Sequence, residues 1–289
     1  MRFIFSFANP PRHAKLLEMF RLEKISSFDQ PELAPYRTMR RSAEHEQLGI
    51  FVAESEKVVR RLLASRFTVV SVVLPAERLE EFRPLLAART EEPVVYLADR
   101  KFLETLTGIS LFQGILAIGK IPPPAALGEI LAQSPVPKLL VAVDAVCKAE
   151  NLGALVRNCV AFGVQALLVG ETSSSPFLRR AVRNSMGAIF QLPVVESKNL
   201  AQTLRELRAR GIRCVAAHPR PDKKILSQAD FTGDCCVVFG NEGDGISPAV
   251  LASCDEAVAI PMPAEVDSLN VGAAAAVFLY EANRQRGRA

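Results

Sequence analysis

Residues 122–124 are three consecutive prolines, and neither a strand nor a helix can run through them. Residues 122–138 therefore read as a stiff Pro-rich linker that divides the chain in two. Before it, residues 49–121 alternate strand-like and helix-like runs. IFVAE, TVVSVVL, PVVYLA and ILAIGKI are apolar and short, as strands are, and between them lie amphipathic stretches such as SEKVVRRLLAS. The alternation predicts a small α/β domain. It has no Gly-rich phosphate loop and no convergent polar cluster, which suits binding or docking better than catalysis. Residues 1–48 are less regular. HAKLLEMFRLEKI has helical apolar spacing, and a proline-broken stretch after it carries Arg37, Arg40 and Arg41 together. That trio reads either as a solvated surface or as a patch contacting phosphates.

After the linker, residues 139–289 form a second α/β run. KLLVAVDAV, ALLVG, QLPVVE, IRCVAAH, CCVVFG and EAVAIPM are its strands, with helices between several of them, so a parallel sheet is predicted. The last helix begins near Ser268 and opens with GAAAAV, a face small enough for another backbone to pack very closely. Ser268 is the expected N-cap, with Asp267 and Asn270 beside the helix start.

Hydrophobic residues make up 49% of the 289 and charged residues 23%, which excludes a disordered class. A net charge of +4 permits an anionic partner without requiring one. The N-terminus lacks a signal-peptide pattern, and no run reaches the roughly 18 apolar residues of a membrane span. The six cysteines have no metal-ligand spacing, and a reduced, cytoplasmic protein without zinc or disulfides is expected.

Common catalytic signatures are missing. GNEGDG is neither a P-loop nor a dinucleotide fingerprint, and His13, His45 and His218 are scattered, which leaves a Ser-His-Asp triad little support. His218, at a strand end, reads as a satisfied polar residue. What stands out is three polar segments, each after an apolar strand: AENLGALVRN (149–158), GNEGDG (240–245) and VDSLN (266–270). In the first, Asn151 and Gly153 are expected to shape a turn. Arg157, in an otherwise apolar helix, calls for a carboxylate such as Glu242 or an anionic ligand.

NLGALVRNCVAFGV, VVFGNEGDGIS and IPMPAEVDSLNVGAAAAVFLYEA together resemble the three signature motifs of the SpoU (TrmH-like) branch of the SPOUT RNA methyltransferases. The resemblance runs from about residue 139 to 286. More weakly, LGIFVAESEKVVRRLL resembles the ribosomal-protein-like substrate-binding domain that often precedes that catalytic domain. The resemblance implies a deep C-terminal trefoil knot, a homodimer, and S-adenosylmethionine held by Gly240, Ile260, Met262 and Leu269. It implies methylation of a ribose 2′-hydroxyl in tRNA or rRNA, with Asn151, Arg157, Glu242, Ser268 and Asn270 in the active site. Arg157 would be the base or a phosphate clamp, within its own chain or across the dimer, and Glu242 would orient it. Family members commonly carry Thr-Ala at Asn158-Cys159 and Ser at Gly272, departures expected to affect packing rather than chemistry. The alternatives are a catalytically silent RNA-binding protein, a base-methylating relative, or a nucleotide-binding metabolic enzyme.

Overall fold

The strand runs before the linker are apolar on both faces, so each must be covered from two sides. In the computed structural model, which describes residues 20–27, 29–107, 114–219, 224–263 and 265–288, they form one five-stranded sheet. Its strands are β1 (Arg21–Lys24), β2 (Ile50–Glu54), β3 (Val69–Pro75), β4 (Val94–Ala98) and β5 (Leu116–Lys120). They lie in the order β1-β4-β3-β5-β2, with β5 antiparallel to both its neighbours. Helix α1 (Glu56–Leu63) buries Val58, Val59, Leu62 and Leu63 on one face. On the other, Leu33, Tyr36 and Met39 join Val52, Val73 and Tyr96 in a separate core.

One expectation fails here. RLEK is not helical but forms β1, which pairs in parallel with β4 along the sheet edge; open backbone groups of β4 outweigh a weak local helical pattern. The rest of the helical reading, in residues 13–19, lies outside the described residues. The segment 31–47 packs onto this sheet: Tyr36 is fully buried and its hydroxyl lies 2.7 Å from Ser71 Oγ on β3. The linker also contains a helix, Leu127–Gln133. Leu127, Ile130 and Leu131 recur at helical spacing and pack on the second sheet's core.

The second sheet has seven strands: β6 (Leu139–Val143), β7 (Ala166–Val169), β8 (Val194–Glu196), β9 (Arg213–Ala217), β10 (Lys224–Ile225), β11 (Cys235–Phe239) and β12 (Glu256–Ala259). All pair in parallel, in the order β10-β12-β9-β11-β6-β7-β8. Strand β11 is inserted between two earlier strands, so that Val237 faces Val141 on one side and Val215 on the other. β7 and β8 lie to one side of β6 and the later strands to the other, which creates a switch point where carboxyl-end loops diverge.

Helices α2 (Ala149–Ala161), α3 (Arg179–Asn184), α4 (Leu200–Ala209) and α5 (Val271–Gln285) cover this sheet. Gly153 lies inside α2 rather than in a turn. A Cβ there would come within 2.5 Å of the Ala181 carbonyl oxygen and 2.8 Å of Asn184 Cβ, so only glycine lets α2 and α3 cross this closely. At the other side of α2, Asn158 Nδ2 donates to the Gly272 carbonyl at 2.6 Å, tying α2 to α5.

The two sheets are joined by a compact junction. Phe51 and Phe67 from the first half meet Phe177 and Phe190 from the second, with ring centroids 5.4 to 6.0 Å apart. Glu54, only 3% exposed, accepts from Arg179 Nη1 at 2.8 Å and Arg183 Nη1 at 3.1 Å. Arg61 Nη1 donates to the Met186 carbonyl at 2.7 Å in the same junction. Among the described residues no helix is long and apolar enough to cross a membrane.

Candidate active site

The loop after β11 is built around Asn241. Its N–H donates to the Gly245 carbonyl at 2.9 Å and its carbonyl accepts from Gly245 N–H at 3.1 Å, closing a tight turn. Its side-chain oxygen accepts from Gly243 N–H at 2.7 Å, and Nδ2 donates to the Ala145 carbonyl at 2.8 Å. The turn folds back on Gly240 so closely that a Cβ there would lie 2.3 Å from the Gly245 carbonyl. Buried Asp144, at the end of β6, accepts from Ser247 N–H at 2.7 Å and holds the far end of the loop. Asn241 and Asp144 brace the loop and were missed in the sequence; the Asx position in GNEGDG was the available signal for Asn241.

The loop after β12, at its described residues 260–263 and 265–270, faces this turn. Between the two lies a cavity of about 850 Å³. Phe239, Ile260 and Phe278 line its apolar part, and Asn241, Asp244 and Asp267 contribute polar groups. All four residues expected to hold a cofactor, Gly240, Ile260, Met262 and Leu269, line it. So do Glu242, Ser268 and His218.

At the rim the three polar segments meet. Asn151, in the first turn of α2, donates from Nδ2 to Glu242 Oε1. Its Oδ1 accepts from Asn270 Nδ2 at 2.9 Å, and Asn270 Oδ1 accepts from Gly272 N–H at 2.9 Å. Donors and acceptors alternate without conflict along the whole relay, which fixes both amide orientations.

Asn270 is therefore the N-cap of α5, and Ser268 is not. Ser268 is exposed, two residues too early to reach the first free N–H groups of the helix. Arg157 does not pair with Glu242. It is exposed and forms no hydrogen bond or ion pair among the described residues, whereas Glu242 is engaged by Asn151. The departures at Asn158 and Gly272 are not remote from the site: they bond to each other, and Gly272 N–H is Asn270's capping partner.

The arginine trio lies elsewhere, at the edge of the first half. Arg37 pairs with Asp29 at 3.3 Å and Arg41 with Glu44 at 2.9 Å, both at the surface, while exposed Arg40 lines a second cavity at the junction. Burial pushes the Cys235 thiol up to about 11 and the Cys254 thiol up to about 12, and it raises Cys159 as well. These thiols stay protonated and act as small apolar side chains.

Comparison with known proteins gives a consistent picture. The model of the SpoU rRNA Methylase family matches residues 138–280. An uncharacterised tRNA/rRNA methyltransferase of Mycobacterium avium is 36% identical over 76% of this chain and 72% of its own length. One from Mycobacterium bovis is 31% identical over 91% of this chain and 92% of its own. Among solved structures, an AdoMet-bound rRNA methyltransferase from Sinorhizobium meliloti shares the fold, with a TM-score of 0.79 at 24% identity over 91% of this chain and 98% of that one. An RNA 2′-O ribose methyltransferase matches with a TM-score of 0.73 at 25% identity, over 91% of this chain and 99% of its own.

Proposed function

The chain belongs to the SpoU rRNA methylase family, and from that premise we propose that it is an S-adenosylmethionine-dependent methyltransferase acting on a ribose 2′-hydroxyl of tRNA or rRNA. The observation that carries the reading is the Glu242–Asn151–Asn270 relay at the rim of the loop cavity. It joins all three polar segments beside a pocket whose size lies within the ~300–1,000 Å³ typical of small-ligand sites.

The residues present fit the cofactor. The apolar wall of Phe239, Ile260 and Phe278 suits an adenine ring, and the carboxylates of Glu242, Asp244 and Asp267 suit a sulfonium cation. Gly240, Ile260, Met262 and Leu269 would hold it, and when bound it supplies an electrophilic methyl group. The chain's own groups then orient the ribose and manage one proton. Asn151 and Asn270, fixed by their mutual bond, position the hydroxyl. Glu242 keeps a second carboxylate oxygen outside the Asn151 bond, and that oxygen is the acceptor the relay offers for the hydroxyl proton. The guanidinium of Arg157 offers hydrogen-bond donors and no acceptor, so its role is to clamp an RNA phosphate and stabilise developing negative charge.

The reading extends to assembly. Exposed Val277 and Tyr280 on α5, beside α2 with its exposed Arg157, support a homodimer in which Arg157 serves the partner's site. A trefoil knot in residues 139–289 is supported by the insertion of β11 between β6 and β9 and by the return of α5 onto α2. The five-stranded first half is the RNA-binding module.

The test is transfer of labelled methyl from S-adenosylmethionine to RNA from a methylation-deficient host, followed by digestion to nucleosides. Label is expected in 2′-O-methyl nucleosides. Asn151→Ala and Arg157→Ala are each expected to lower the rate about 100-fold or more, because misplacing the reacting groups costs at least that much. Label confined to bases would overturn the ribose assignment, and no cofactor binding or transfer at all would leave a silent RNA-binding protein.

A further inference from the structure

On the side of the junction where α2 begins there is a cavity of about 280 Å³ that none of the roles above uses. We propose that it is a subsite for one unpaired nucleotide of the RNA, flanking the nucleotide that is methylated; this rests on the RNA methyltransferase reading. Both halves build it. Met39, Arg40 and Ile121 come from the first, Ala149, Phe177 and Arg180 from the second. Its floor is apolar, with Met39 and Phe177 only 4% and 5% exposed, which suits the face of a base.

Its charge suits a phosphate. Arg40, Arg179 and Arg180 line the cavity, and Glu46 is the carboxylate among the lining residues. Arg179 is committed to Glu54, but Arg180 holds Glu150 at 3.1 Å in a pair whose side chains are 70% and 50% exposed. A surface pair of that kind is worth little and exchanges readily for a phosphate oxygen. Burial holds the His45 imidazole below its ordinary value, so the cavity's positive charge comes from arginine.

Position ties the cavity to the reaction. Ala149 lines it and lies two residues before Asn151 in the same helix, less than one turn away. A strand whose target ribose sits at Asn151 thus passes a neighbouring nucleotide over this opening. A duplex is too wide for such a cavity, whereas an unpaired base can be splayed onto an aromatic ring with its phosphate on arginine. Because the two walls belong to different halves, the subsite exists only while the junction is closed.

The test compares the full chain with the Arg40→Gln/Arg180→Gln double variant on an RNA fragment that the wild type methylates. Kd and KM for RNA are expected to rise about tenfold with kcat nearly constant, the pattern of lost uniform binding. S-adenosylmethionine affinity, measured by calorimetry, is expected to stay the same. Losing two phosphate contacts should make the slope of log K against log salt shallower by ~1.4, at about 0.7 per contact for a single strand. Arg40→Lys/Arg180→Lys should restore the slope. With 4-thiouridine in the fragment, crosslinks are expected in the peptide containing Phe177. Unchanged affinity and slope with methylation intact would remove the subsite and leave the methyltransferase standing. If the wild type methylates no RNA, both readings fall together.

Discussion

Asn270 serves the fold and the site at once, through different atoms. Its Oδ1 caps α5 and its Nδ2 holds Asn151. The two roles can be separated by Asn270→Asp, since aspartate is an equally good N-cap but cannot donate. Methyl transfer is expected to fall by more than tenfold while the melting temperature stays within about 0.5 °C of wild type, a shift corresponding to ~0.3 kcal/mol for a chain of this length. Asn270→Ala should lose both activity and about 1 kcal/mol of stability; a stable, active Asn270→Asp would sink the relay. At this scale the sequence was informative about residue types and less so about direction. Asn151, Glu242 and Asn270 stood out as polar groups in suspicious places, and they do meet. Arg157 stood out equally, but six residues after Asn151 it is rotated by roughly 120° on the helix, away from the face that carries the relay. Ser268 was chosen as cap from its chemistry alone; the path of the loop, which no local pattern encodes, gives that position to Asn270.

Elements were mostly legible because both sheets are buried on two faces and their strands are unbroken apolar runs. The exceptions were elements whose existence depends on partners. β1 and β10 are short edge strands, held by β4 and β12 respectively rather than by their own composition. The helix Leu127–Gln133 follows the prolines so closely that the segment reads as linker throughout. Helix contacts also gave no linear signal, as Gly153 illustrates. Its missing side chain is what allows α2 to lie on α3, and α2 carries Asn151. Gly153→Ala is expected to destabilise the protein by about 1–3 kcal/mol through overpacking, despite alanine's better helix propensity. A thermal melt of that variant at or above the wild-type temperature would show that the crossing has slack.

For the whole molecule, the junction is the feature with most leverage. Glu54 is buried while Arg179 and Arg183 of the opposite half keep 19% and 57% of their side chains exposed, so removing the carboxylate strands two partly solvated cations and loses charged hydrogen bonds worth about 1.5–3 kcal/mol. Glu54→Ala is therefore expected to uncouple the halves, so that calorimetry resolves two unfolding transitions where the wild type shows one. A single, unshifted transition would mean that the phenylalanine cluster alone joins them. Nothing in the sequence announced this pairing, since the partners are over a hundred residues apart and each reads locally as an ordinary surface charge.

The place of β11 has a consequence for how the chain comes off the ribosome. Its neighbours β6 and β9 are both synthesised before it, and neither can complete its ladder until residues 235–239 have emerged. During that interval β6 keeps one open hydrogen-bonding edge beside β7, and β9, whose other neighbour β12 follows later still, has no strand partner at all. A pause in translation just upstream of Cys235 would prolong the state most vulnerable to wrong pairing, and chaperone capture would matter most there. The strand that ends at the loop cavity is thus also the one whose late arrival joins β9 to β6.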